Sequence, residues 1–355
     1  ATGSCSTFIL CKVDFLMRYI GSKQALLERL SFEINSRAPE KGVFCDLFSG
    51  SAAVARYFKK KNYKIISNDI MHFSYFLQAA TIDLNSKPYF KKLNLDPIEY
   101  LNGINIDSFD YFKGKFVVEN YSPTKIRETG YFTTKNALKI DAIRQQINRW
   151  QQDIKINNEE YVYLVAALIE ALPFVSNTTG TYGAFLKKWD KRAFKPITLN
   201  DHEIFDNGLL NKSYCEDAKT LLKKLKGDIL YLDPPYNGRQ YGSNYHVLET
   251  IARYDYPIVR GVTSMRDNND IRSNFCIKSK AKKELDEIIK ISNFRYIFFS
   301  YNNEGILCEE EIKEIFTKYC KNKSIEIIKI PYRRYKRNQK PYSKQLFELL
   351  FVGEK

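Results

Sequence analysis

An apolar run, Val43-Phe44-Cys45-Asp46-Leu47-Phe48, gives way to Ser49-Gly50-Ser51-Ala52 and then to a helical pattern from Ala53 to Lys60. A buried strand, a loop of small residues and a helix in succession form a βα unit, which needs further units of the same kind to cover both faces of its strand. A second strand is predicted at residues 63–67, ending in Asn68-Asp69. Further on, helical patterns at 247–254, 280–291 and 309–318 alternate with strands at 294–300 and 324–330, and a last strand spans 346–352. The alternation predicts an α/β protein, a three-layer Rossmann-like sheet with helices on both faces. Small-residue loops of this type let a ligand approach the backbone and a helix amino terminus, and Asp69, about 20 residues after the glycine loop, is placed to bind ribose hydroxyls. The phosphate-binding pattern GxGxxG is absent, which points to a nucleoside ligand without a pyrophosphate.

The second informative segment is Asp233-Pro234-Pro235-Tyr236, at the end of the apolar run Ile229-Leu230-Tyr231-Leu232. Consecutive prolines make a stiff turn that presents carbonyls and lacks donors. An exocyclic amino group on a purine is a poor nucleophile because its lone pair is delocalised into the ring. The Asp233 carboxylate and the Pro234 carbonyl, both aimed at that group, would draw it toward tetrahedral geometry. Tyr236 can stack on a base taken out of its helix, as enzymes acting on base atoms require.

Together these motifs resemble the Dam-like, group alpha, adenine-specific DNA methyltransferases, which use S-adenosylmethionine. The resemblance covers residues 17–70 and 213–352. Tyr19-Ile20-Gly21-Ser22-Lys23 matches the family's first segment, so Tyr19 and Lys23 are implied to line the cofactor pocket. Phe48-Ser49-Gly50-Ser51-Ala52 matches the FxGxG loop, with alanine in place of the second glycine, a departure expected to tighten or shift the pocket. Asp46, Phe48 and Gly50 are accordingly expected at the cofactor, Asp69 at its ribose, Asp217 at its adenine, and Asp233 at both cofactor and substrate. Asp233, Pro234, Pro235 and Tyr236 are the implied catalytic residues. The family also implies a mainly parallel sheet with one antiparallel strand near its edge, and an inserted, mainly helical target recognition domain. That division assigns residues 17–70 and 213–355 to catalysis, 71–212 to recognition, and 1–16 to an extension before Met17.

Composition narrows the partner. With 56 Lys and Arg against 41 Asp and Glu, the chain carries +15, which suits a polyanion bound in a salt-sensitive way. The longest apolar stretch, 161–169, is far shorter than the ~20 residues a membrane helix needs. Residues 1–16 lack the pattern of a signal peptide. The seven cysteines show no metal spacing and read as reduced thiols of a bacterial cytoplasmic protein, with no metal expected.

For DNA contact, the polar loop Ser176-Asn177-Thr178-Thr179-Gly180-Thr181-Tyr182-Gly183 and the basic run Lys187-Lys188-Trp189-Asp190-Lys191-Arg192 stand out. Asn177, Thr178, Thr179 and Tyr182 are candidate base readers, and Lys187, Lys188 and Arg192 candidate phosphate contacts. Arg333, Arg334, Lys336 and Arg337 form a second basic cluster, and Arg239 follows the catalytic turn. His246 reads as a packing residue.

The expected function is S-adenosylmethionine-dependent methylation of adenine N6 in a short double-stranded DNA sequence, within a restriction-modification system. A cognate endonuclease and a monomeric or dimeric state are left open. An RNA adenine or DNA cytosine amino methyltransferase and a catalytically inactive nucleic-acid-binding protein are the alternatives. A cytosine ring-carbon enzyme would need a Pro-Cys nucleophile, and the chain has no such dipeptide.

Overall fold

The computed structural model describes residues 21, 23–125, 127–332 and 346–355. Its centre is a seven-stranded sheet of Val43–Asp46 (β1), Lys64–Asn68 (β2), Lys212–Tyr214 (β3), Gly227–Leu232 (β4), Phe294–Asn302 (β5), Glu326–Tyr332 (β6) and Leu346–Glu354 (β7), ordered β3-β2-β1-β4-β5-β7-β6. β1 to β5 pair in parallel, while β7 runs antiparallel to both β5 and β6. The expected α/β sheet with one reversed strand near its edge is therefore present. β1 and β4 carry few polar side chains in their centres, as strands covered on both faces do.

Each face of the sheet has its own core. Leu30, Ile34, Phe44, Phe58, Tyr63, Ile229 and Tyr231 belong to one, and Phe44 stacks on Phe58 with ring centroids 4.1 Å apart. Leu230, Leu232, Leu285, Ile288, Phe299, Ile312 and Phe351 belong to the other. This division follows from strand alternation: Ile229 and Tyr231 point one way, Leu230 and Leu232 the other.

A third core fills a helical lobe built around Thr134–Gln152 and Asn158–Ala171. Both helices have strong starts: the Thr133 side chain accepts from Asn136 N–H, and Asn157 and Glu160 form a reciprocal capping box. The helix His246–Arg253 was expected among the helices of the sheet. It packs instead in the lobe, where Tyr245, Val247, Leu248, Ile251 and Ala252 join the lobe core. Buried Arg144 donates to the Ile251 and Ala252 carbonyls at 3.0 Å each, satisfying acceptors that a helix carboxyl end leaves open. Thus the lobe draws on residues after β4 as well as on the 71–212 insert. Among the described residues no helix is long and apolar enough to cross a membrane.

Candidate active site

In an open parallel sheet, ligands gather beyond the carboxyl ends of the strands where the strand order reverses. That point lies here between β1 and β4. The loop after β1 folds under the end of β2, with Ser49 N–H donating to the Asn68 carbonyl at 2.9 Å. Gly50 and Ala52 take left-handed conformations, with φ of 52° and 62°. Glycine adopts this readily, whereas alanine at position 52 costs about 1–2 kcal/mol. Ala52 is fully buried and does not itself line the pocket, although its neighbours Ser51 and Ala53 do. Asp69 clamps the loop: one carboxylate oxygen accepts from Gly50 N–H and the other from Met71 N–H, both at 2.9 Å. Burial pushes its pKa up to about 6 against those two hydrogen bonds.

Beyond β4, Asp233 forms a 2.9 Å ion pair with Lys23, whose ammonium also reaches Glu348 of β7 at 3.0 Å. Ser300 of β5 donates to the same Glu348 oxygen at 2.6 Å. The cation is thus fixed between two carboxylates, one just past the end of β4 and one within β7. Burial opposes the Lys23 charge, but Asp233 and Glu348 outweigh it and hold the ammonium well above the ordinary lysine range. Asp233 is itself pushed up to about 6 by burial, against the pull of Lys23. The turn is fixed from behind, where the Tyr236 carbonyl accepts from Ile306 N–H at 2.9 Å and its ring meets Tyr301 edge-on.

These elements enclose one pocket. Lys23, Asp46, Phe48, Gly50, Asp69, Asp217, Asp233, Pro234, Pro235 and Tyr236, all expected from the sequence, lie in its wall. Asp46 is buried, its Oδ2 without a hydrogen-bond partner among the described residues, and burial together with the nearby Asp233 pushes its pKa up to about 7. Asp217 caps the helix Ala218–Leu222 through Oδ1, which accepts from Thr220 N–H at 3.0 Å. Tyr19 falls outside the described residues. Sequence reading missed Glu348, Phe275 and the 271–274 segment. Glu348 had a signal, being an acid flanked on both sides by apolar residues in the strand Leu346–Glu354; the others had none.

The carboxylate excess in this wall suits a cationic ligand, and a carboxylate beside a proline carbonyl suits an amino group. A family model described as D12 class N6 adenine-specific DNA methyltransferase matches residues 19–315. The chain belongs to this family. Among curated relatives, the Type II methyltransferase M.FokI of Planomicrobium okeanokoites is 45% identical over 96% of this chain and 53% of its own length. The modification methylase StsI of Streptococcus sanguinis is 44% identical over 94% of this chain and 51% of its own. This chain therefore spans about half the length of those two relatives. It also aligns at 37% identity with the Type II methyltransferase M.NlaIII of Neisseria lactamica, over 96% of this chain and 99% of that protein.

For this D12 family member the expected DNA contacts divide sharply. Asn177 is fully buried: its amide donates to the Gly130 and Leu186 carbonyls at 3.2 and 3.0 Å, and its oxygen accepts from Asp190 N–H at 2.9 Å. Thr178 and Tyr182 are buried too, and the Tyr182 carbonyl accepts from Tyr131 at 2.7 Å and His246 at 2.8 Å. Arg192 donates to the Ser176 carbonyl at 3.0 Å and also bonds the Thr178 carbonyl. These four residues hold the loop together, which corrects their assignment as base or phosphate contacts. Thr179, Lys187, Lys188 and Arg239 are exposed. Arg333, Arg334, Lys336 and Arg337 lie outside the described residues. His246 is a packing residue, its pKa lowered to about 4 by burial.

Proposed function

We propose that the pocket binds S-adenosylmethionine and that the chain methylates the N6 amino group of an adenine swung out of a short duplex DNA sequence. The motif order supports a Dam-like, group alpha enzyme, and the names of the relatives support a modification role in a bacterial restriction-modification system. A restriction endonuclease cutting the same sequence would be its functional partner, and the cytoplasm its place of action. The observation that carries the reading is the position of Asp233 and Pro234 at the sheet's reversal point, next to an acid-lined pocket.

When bound, the cofactor supplies an electrophilic methyl group on a cationic sulfur. The buried Asp46 carboxylate and the surrounding acids fit that charge. Asp69 has lone pairs left for ribose hydroxyls after its two backbone contacts. Asp233 and the Pro234 carbonyl accept from the adenine amino group and aim its lone pair, while Tyr236 stacks on the ring. Lys23 keeps Asp233 ionised and in place. Alignment and fixed electrostatics supply the rate, and the proton leaves to water after transfer. Tritium from labelled S-adenosylmethionine should appear in unmethylated bacterial DNA as N6-methyladenine confined to one short sequence. Label in methylcytosine, or none in DNA, would overturn the reading.

Asp69→Ala should weaken cofactor binding by roughly 10–100-fold, the cost of one or two hydrogen bonds to a charged group. Equilibrium dialysis measures this, and unchanged affinity would remove Asp69 from the site.

The pH dependence has a defined sign. Asp46, Asp69 and Asp233 are raised to about 7, 6 and 6, mainly by burial. The ligand-free fold thus keeps protons that the unfolded chain releases near pH 4, so these groups contribute stability in acid that is lost as pH rises through 6 to 7. A cationic ligand pairs with the ionised forms and displaces those protons. Cofactor affinity should rise by about tenfold or more between pH 5.5 and 8 and then level off. Calorimetry in buffers of different ionisation enthalpy should show proton release; equal heats and a flat affinity would contradict the assignment.

A further inference from the structure

A two-stranded hairpin, Val259–Arg260 paired with Met265–Arg266, stands beside the pocket. Its display of apolar side chains is unusual: Val262 in the turn is 76% exposed, and Ile258 at its foot is 82% exposed. Single exposed aliphatics are ordinary on a protein surface. Here, however, they sit on a backbone bolted down on both sides. Buried Arg266 grips Asp255 with two bonds of 3.0 and 2.7 Å at the base. Near the tip, Arg127 donates to the Val262 carbonyl at 3.0 Å while its guanidinium also reaches the Asn120 and Ser122 carbonyls.

The placement of the hairpin is specific. Its foot, Met265 and Arg266, borders a depression shared with Gln240, Gly242, Ile271 and Arg272, and the last two also line the active-site pocket. Gln240, four residues after Tyr236, is locked to Ser273 in both directions, by bonds of 3.0 and 2.9 Å. On the other side the Arg127 guanidinium lies 5.2 Å from the Phe185 ring, in the loop that continues into exposed Lys187 and Lys188. Arg260 on the hairpin and Arg272 at the shared depression are exposed, as is Arg239 three residues after Tyr236. The result is a hairpin with an apolar tip among exposed cations, its foot next to the pocket proposed to receive a flipped base. Duplex DNA is the partner with matching chemistry: phosphates for the cations, and a stack of bases for the aliphatic tip.

We propose that this hairpin is the strand-opening element of the enzyme, with Val262 entering the base stack where the target adenine leaves it. The inference rests on the methyltransferase reading above. An aliphatic side chain filling that gap covers the faces of the neighbouring bases that the departing adenine uncovers, so that the extrahelical state costs less. The tip must be rigid to do this, which gives Arg127 and Arg266 their roles as positioning residues.

The test uses a duplex containing the sequence that the wild-type protein methylates, with 2-aminopurine at the target adenine to report unstacking. Val262→Ser is expected to remove most of the fluorescence rise and to lower kcat/KM on the unmodified duplex by about tenfold or more, since unstacking a step costs a few kcal/mol. Val262→Leu should retain both signals. A duplex with an abasic site opposite the target, already opened, should bring Val262→Ser to within about threefold of wild type, because the unstacking cost of a mismatched or damaged site is small. If Val262→Ser matches wild type on the intact duplex, or if the opened duplex fails to rescue it, the wedge is wrong and the methyltransferase reading stands. If the wild-type protein transfers no methyl group to any DNA, both fall.

Discussion

Asp233→Ala is expected to lower methyl transfer by at least about 100–1000-fold, the usual loss when one preorganised polar partner is removed from a reacting centre. Asp233 combines two roles that the structure makes inseparable. It lines the pocket beside the Pro234 carbonyl, where an adenine amino group would be held, and it is ion-paired with Lys23 at 2.9 Å. Removing it does not strand the cation, because Glu348 remains 3.0 Å away. The variant should therefore fold with the wild-type circular dichroism spectrum and keep measurable DNA affinity. Asp233→Asn, which preserves shape and one acceptor oxygen but not the charge, should fall between the two. Single-turnover transfer of labelled methyl groups measures both, and an Ala variant within tenfold of wild type would eliminate the proposed activation of the amino group.

Lys23→Met should have the largest effect on stability. It leaves Asp233 and Glu348 facing one another, with side chains only 18% and 5% exposed and no cation between them. Removing one partner of a buried ion pair typically costs about 3–5 kcal/mol. Urea denaturation near pH 7.5 should show a loss of that size. The loss should shrink at pH 5.5, because Asp233, already raised to about 6 and pushed higher once Lys23 is gone, takes up a proton and ends the repulsion. Glu348→Gln in the same chain should restore part of the stability. Methylation near neutral pH should drop as well, since a protonated Asp233 accepts poorly. A loss under about 1 kcal/mol, equal at both pH values, would show that the triad is not coupled as drawn.

How legible the site was depended on how local each feature is. The strand–loop–helix at 43–60 and the turn at 233–236 were readable because apolar runs, small-residue loops and paired prolines act over a few neighbouring residues. Asp46, Asp69, Asp217 and Asp233 converge on one pocket because the parallel sheet brings strand ends together. Glu348 showed as an acid in an apolar strand, yet nothing nearby in the chain names Lys23 as its partner. The reading failed at Asn177, Thr178 and Tyr182, where polar residues in a glycine-bearing loop looked like a recognition surface, and at Arg192, which looked like part of a basic phosphate-binding run. They close the loop upon itself because buried backbone carbonyls and amides there need partners.

The α/β sheet and the strongly positive net charge were legible in the chain itself, as was the presence of two short loops with the makings of a site, since periodicity, turn chemistry and charge are properties of short segments or of composition. Tertiary structure alone decided that Lys23 bridges β4 and β7, that the helix His246–Arg253 belongs to the lobe, and that the hairpin bearing Val262 stands beside the pocket. Each of these depends on which distant groups are buried together. An amphipathic face shows that it must be covered without specifying by what, and an ion pair becomes strong only when packing has excluded water from around it.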